Sequence, residues 1–193
     1  MAERILIDIA TTEGPATVRA AEFDSEAPRS AMVLFDQNHI ALGADAHFDA
    51  FDRRLRRHLR ALGLAIPDGG LILELDRPVD AGASWQLGLV LAHLALAGGR
   101  LATREADAGR AVWVTGAVGT SAWAARRVEA VALKLARAGG RLGSLRARGL
   151  AVDALVPEEN LEEARRAAPV GVVPEPVGPL PALLARYGPA AAP

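Results

Sequence analysis

The chain has 193 residues, 51% of them hydrophobic, and its 22 basic and 23 acidic residues leave a formal charge of −1. That length suits one domain able to bury about 70% of its unfolded surface, and the balanced charge supplies no global field to recruit nucleic acid or an anionic membrane. The absence of cysteine excludes disulfides, thiolate catalysis and cysteine-ligated zinc.

The opening residues carry acids inside their apolar stretch and lack a signal-peptide layout, so a cytoplasmic location is expected. Residues 4–10, 17–23 and 31–36 read as short strands separated by turn-forming Glu/Gly/Pro and Ser/Glu/Pro segments. Over 45–62, Phe48, Phe51, Leu55, Leu59 and Leu62 recur at three- and four-residue steps, which predicts an amphipathic helix. Its other side carries Arg53, Arg54, Arg56, Arg57 and Arg60. Such a face could touch nucleic acid, but no aromatic residue is interleaved with these arginines, so a solvated face is the favoured reading.

Residues 70–76 read as a strand, 77–83 as a loop, and an apolar helix is expected to start at Ser84. The apolar run 85–97 is shorter than the ~20 residues of a membrane span and contains His93, so it reads as a buried helix. A loop over 98–109 and a strand over 111–115 follow. A helix near 128–138 has Val128, Val131, Leu135 and Ala138 as its apolar stripe, with Lys134 at the margin. A Gly/Arg-rich connection over 139–149 leads to a strand at 150–156. Pro157-Glu158-Glu159-Asn160 then opens a short helix to Arg166, with proline and acids where a first turn favours them. A strand at 170–173, a helix at 180–187 and a frayed tail at 188–193 complete the reading.

Lys134 is the one lysine among the 22 basic residues. Arginine stays protonated in proteins, whereas a lysine can lose its proton and act as a base, so Lys134 is a candidate for chemistry. A coding bias that depletes lysine gives the same count. Ser84 likewise has two readings at the head of a buried helix. It is either an N-cap worth about 1 kcal/mol or a nucleophile beside free amides and a positive helix end. None of His39, His47, His58 and His93 sits in a recognisable motif, and no G-x-S-x-G elbow supports a Ser-His-Asp hydrolase. The chain also lacks an H-E-x-x-H helix and a G-x-x-x-x-G-K-[ST] loop, so neither metal nor nucleotide cofactor is expected.

The chain order does carry a resemblance. It runs from a strand and loop to Ser84 on an apolar helix, then to a strand ending Thr115-Gly116, Lys134-Leu135 on a helix, and Val156-Pro157-Glu158-Glu159-Asn160. This order resembles the proteolytic domain of Lon-type proteases, and the helix over 45–62 and the segment 178–184 fit the same layout. The resemblance implies a single α/β domain over 1–187, built as a mixed sheet packed with helices. It implies hydrolysis of peptide bonds in unfolded proteins or short peptides by a Ser84/Lys134 dyad, with Thr115 supporting the lysine. It further implies a closed homo-oligomer, a six-membered ring, and the missing phosphate loop leaves open whether a separate unfoldase serves it. Trp85 departs from the family pattern, which has a small residue there, as do Ala117 in place of an acid and Glu129-Ala130 in place of Gly-Gly. These departures leave a second expectation, a catalytically silent Lon-like scaffold with Ser84 only an N-cap and Lys134 only a charged helix edge.

Overall fold

The computed structural model describes residues 3–35, 46–119 and 123–189. Strands β1 (Ile5–Ile9), β2 (Ala16–Asp24) and β3 (Ala31–Leu34) precede helix α1 (Ala46–Ala61), β4 (Gly70–Leu75) and α2 (Gln86–Ala97). Next come β5 (Arg110–Val114), β6 (Ala117–Gly119), β7 (Ala124–Arg126), α3 (Val131–Ala147) and β8 (Ala151–Val156). A 3₁₀ turn at Glu158–Asn160 leads into α4 (Leu161–Ala167), β9 (Pro174–Pro176) and α5 (Leu180–Tyr187).

Seven strands form one mixed sheet in the order β3-β4-β2-β1-β5-β8-β9, and β6 and β7 pair as a separate hairpin. Within the large sheet β2 runs antiparallel to β1 and β4, and all other neighbours are parallel. Alternation along the central strands sends successive side chains to opposite faces. Ile5, Ile7, Ile9, Val112 and Val114 join a core with residues of α1, α2 and α5. Trp113, Ala154 and Val156 join a second core with residues of α3 and α4. Because helices cover both faces, β1 is buried at every position.

Residues Leu87 to Ala95 of α2 are all buried, as expected for a helix that is apolar on every side. Its backbone lies close to β1 at Gly88, where a Cβ would stand 2.6 Å from Ile9 Cγ1. On α1 the predicted apolar stripe is buried at Phe48, Phe51, Leu55 and Leu59, whereas Leu62 lies past the helix end and is exposed. The opposite face is not uniformly solvated. Arg56 is buried, with its Nε 2.8 Å from Asp52.

Two expected elements differ, and one element was not expected. The segment 139–149 is largely helix, because Ala138, Leu142 and Leu145 continue the buried stripe of α3. That burial overrides the roughly 1 kcal/mol that each helical glycine costs relative to alanine. Residues 170–173 are a turn at Val170-Gly171 followed by irregular chain instead of a strand: Val170 is 99% exposed and Gly171 has a left-handed φ of 78°. The last strand is β9, whose two prolines are tolerated because it lies at the sheet edge. The β6–β7 hairpin, with three residues per strand, is too short to leave a periodic signal.

At the C-terminal end Gly188 is buried, and its carbonyl accepts a hydrogen bond from Arg100, so this part of the expected tail is fixed. Residues 190–193, the end of the expected strand at 36, and His39 lie outside the described residues. Among the described residues no helix is long and apolar enough to cross a membrane.

Candidate active site

Ser84 sits in a turn two residues before α2, which starts at Gln86. Trp85 occupies the N-cap position with helical backbone angles and makes no side-chain capping hydrogen bond. The N-cap reading of Ser84 is therefore corrected: with Trp85 and Gln86 already in helical geometry, its hydroxyl is free to face another element. That element is α3. Lys134 Nζ lies 3.0 Å from Ser84 Oγ and donates a hydrogen bond to it across 50 positions of sequence. Both residues are buried, Lys134 to 4% exposure and Ser84 to 8%.

The segment after β5 clamps the serine turn. Gly116 N–H donates to the Ser84 carbonyl at 2.9 Å, and Leu87 N–H returns a bond to the Gly116 carbonyl at 3.1 Å. Gln86 accepts from Val118 N–H at 2.7 Å. Gly116 has a φ of 153°, and a Cβ there would stand 2.3 Å from Leu87 Cδ1, so this approach needs glycine. The amides of Ser84 and Trp85 donate no hydrogen bond among the described residues. Such free N–H groups beside a nucleophile suit a developing oxyanion.

Lys134 is carried by the first turn of α3, which follows Ala130 in left-handed conformation at φ 58°. Asn160, fully buried in the Pro-Glu-Glu-Asn segment, binds both backbone groups of Val128 at 3.0 Å. Glu163 accepts from the Ala132 amide at 3.0 Å, satisfying one of the open donors at the helix start.

Lys134 has a second partner that sequence reasoning missed. Asp80 Oδ2 lies 3.0 Å from Nζ, and Asp80 is itself held by the Thr12 amide at 3.0 and 3.1 Å and the Thr12 hydroxyl at 2.9 Å. Burial pushes the Asp80 carboxyl up, but the bonds from Thr12 and Lys134 outweigh it and hold the group below the usual carboxylate range. Asp80 thus presents an anion to Lys134 Nζ. Nothing in the segment Asp80-Ala81-Gly82-Ala83 marks the acid, because its partner is brought by a distant helix.

Thr115 is completely buried, and among the described residues its hydroxyl has no hydrogen-bond partner, Lys134 included. In this geometry the lysine pairs with Asp80 and makes no hydrogen bond to the Thr115 hydroxyl. Trp85, bulky where a small residue was expected, turns away. Its ring packs on Phe48 and Phe51 at 5.4 and 5.6 Å, and its N–H donates to the Gly82 carbonyl at 2.6 Å.

Ser84 and Lys134 open onto a pocket of about 430 Å³ whose wall includes Asp80, Glu129, Ala130 and the small side chains of Ala81 and Ala83. None of the described histidines lines it. His93 is buried on α2 with Nε2 2.6 Å from Asp52. His58 stacks on Trp123. Among the described residues no cluster of three or more His, Asp or Glu side chains could hold a metal ion. No protein-family model and no curated protein sequence matches this chain.

Proposed function

We propose that the chain is a Lon-like serine peptidase in which Ser84 is the nucleophile and Lys134 the base. The observation that carries this reading is the 3.0 Å contact between Ser84 Oγ and Lys134 Nζ at an open pocket, within the reach that nucleophile and base require. In the proposed reaction neutral Lys134 takes the hydroxyl proton as Oγ bonds to a peptide carbonyl carbon. The free amides of Ser84 and Trp85 are suited to receive the resulting oxyanion. Collapse breaks the C–N bond, the proton returns to the departing amine, and water then releases the acyl group by the same steps in reverse.

The resting arrangement places both Asp80 and Ser84 on Lys134 Nζ, each at 3.0 Å. That acid partner favours the second reading, a silent Lon-like scaffold. The peptidase reading brings with it unfolded polypeptide as substrate, a closed hexameric ring, a cytoplasmic setting and delivery by a separate unfoldase.

The test is hydrolysis of unfolded casein, without ATP or added metal, by wild-type protein and Ser84→Ala, with products identified by mass spectrometry. Cleavage by the wild type alone is expected. Equal cleavage by both removes Ser84 as nucleophile, and none by either leaves the scaffold.

A further inference from the structure

The arginine face of α1 is not uniform. Arg53, Arg56 and Arg60 pair with Asp49, Asp52 and Asp68. Arg54 and Arg57, both exposed, have no ion-pair or hydrogen-bond partner among the described residues. Together with His58 and Ala61 they lie at helical spacings that put them on one side of the helix. The fold then adds what the sequence lacked on this face, an aromatic residue. Trp123 arrives just before β7 and stacks on His58 with ring centroids 4.6 Å apart and planes 7° from parallel. These five residues line a hollow of about 400 Å³, with no carboxylate among its described lining residues.

Trp123 holds its place with a φ of 49°, left-handed backbone that a bulky side chain seldom adopts and that surrounding structure has to enforce. Its other neighbour is Phe51, at 6.2 Å, which also touches Trp85 beside Ser84. The indole is therefore built into the molecule.

We propose that this hollow binds a phosphate monoester carried on a flat apolar group. Two unpaired guanidiniums one helical turn apart converge on one multiply charged oxyanion, and the planar fork of arginine matches phosphate oxygens. The imidazole–indole stack and Ala61 supply a flat apolar wall for the body of the ligand. The volume is that of a small-molecule site. This site stands independently of the hydrolytic reading, since it uses neither Ser84 nor Lys134.

The experiment titrates the full chain with inorganic phosphate, phenyl phosphate and adenosine 5′-monophosphate at matched ionic strength, followed by calorimetry and tryptophan fluorescence. Saturable binding of phenyl phosphate or the nucleotide, tighter than inorganic phosphate, is expected, and the preferred one identifies a single ring or a purine as the body. Arg54→Gln and Arg57→Gln should each weaken it at least about tenfold, the scale of a lost charge-assisted contact. Arg53→Gln, at a paired arginine of the same helix, should bind as wild type. Trp123→Phe should abolish the fluorescence response. Three results overturn the site: no saturable binding at millimolar ligand, inorganic phosphate binding as tightly as its esters, or equal loss in the Arg53 variant.

Discussion

Asn160 accepts a hydrogen bond from the Val128 amide and donates one to the Val128 carbonyl, each at 3.0 Å, from a position with no solvent exposure. One side chain of the Pro-Glu-Glu-Asn segment thus fixes the chain just ahead of the helix that carries Lys134. Replacing it with alanine leaves two backbone groups without their partner, a cost of about 1–3 kcal/mol for each one that stays buried. Asn160→Ala should lower the urea midpoint and, under the peptidase reading, reduce turnover even where the protein remains folded. An unchanged midpoint would show that water replaces the side chain at no cost.

Lys134→Arg separates charge from proton transfer. The substitution keeps the cation that Asp80 faces but removes the ability to exist neutral near pH 7. A folded variant with nearly all casein cleavage lost is expected, its fold checked by a thermal melt beside the wild type. Wild-type turnover in that variant would exclude Lys134 as the base.

How far the sequence could be read follows from which signals are local. The stripe of α1, the buried run of α2 and the strands flanking them were legible because burial repeats within each segment. The two residues singled out, Ser84 and Lys134, are brought within hydrogen-bond distance. Asp80 and Thr12 were not legible: Thr12 follows β1 and Asp80 follows β4, and only the mixed sheet brings them together. The C-terminal half of α3 was hidden by Gly139, Gly140 and Gly143, whose local preference loses to the burial of Leu142 and Leu145. Trp123 shows the same limit, since it reaches the arginine face only through a short hairpin with no periodic signature.

Asp80→Asn tests whether the acid restrains the proposed base. Removing a negative charge 3.0 Å from Nζ makes the ammonium less favourable, so the rising limb of a pH–activity profile should move to lower pH. The amide can still bond to Thr12, which preserves the loop. A profile superimposable on that of the wild type would assign Asp80 a purely structural role.

The pair Asp52 and His93 provides a pH test that involves neither site. Both side chains are fully buried, with Asp52 Oδ1 2.6 Å from His93 Nε2 and Oδ2 receiving bonds from Ser30 at 2.5 Å and Arg56 at 2.8 Å. Burial pushes the Asp52 carboxyl up, but the His93 and Ser30 hydrogen bonds and the charges facing it outweigh that penalty and depress its pKa. A carboxyl depressed on folding binds fewer protons in the native state than in the unfolded chain. Its stabilisation is complete above the unfolded value, about 3.9, and drains away as pH falls below that towards the folded value. Urea unfolding at intervals from neutral pH into the acid range should therefore show wild-type stability falling steeply below about pH 4. Asp52→Asn should be less stable at neutrality, because it leaves Arg56 without its anion, and should fall less steeply in acid. Parallel acid slopes for the two proteins would place the acid sensitivity in other carboxylates.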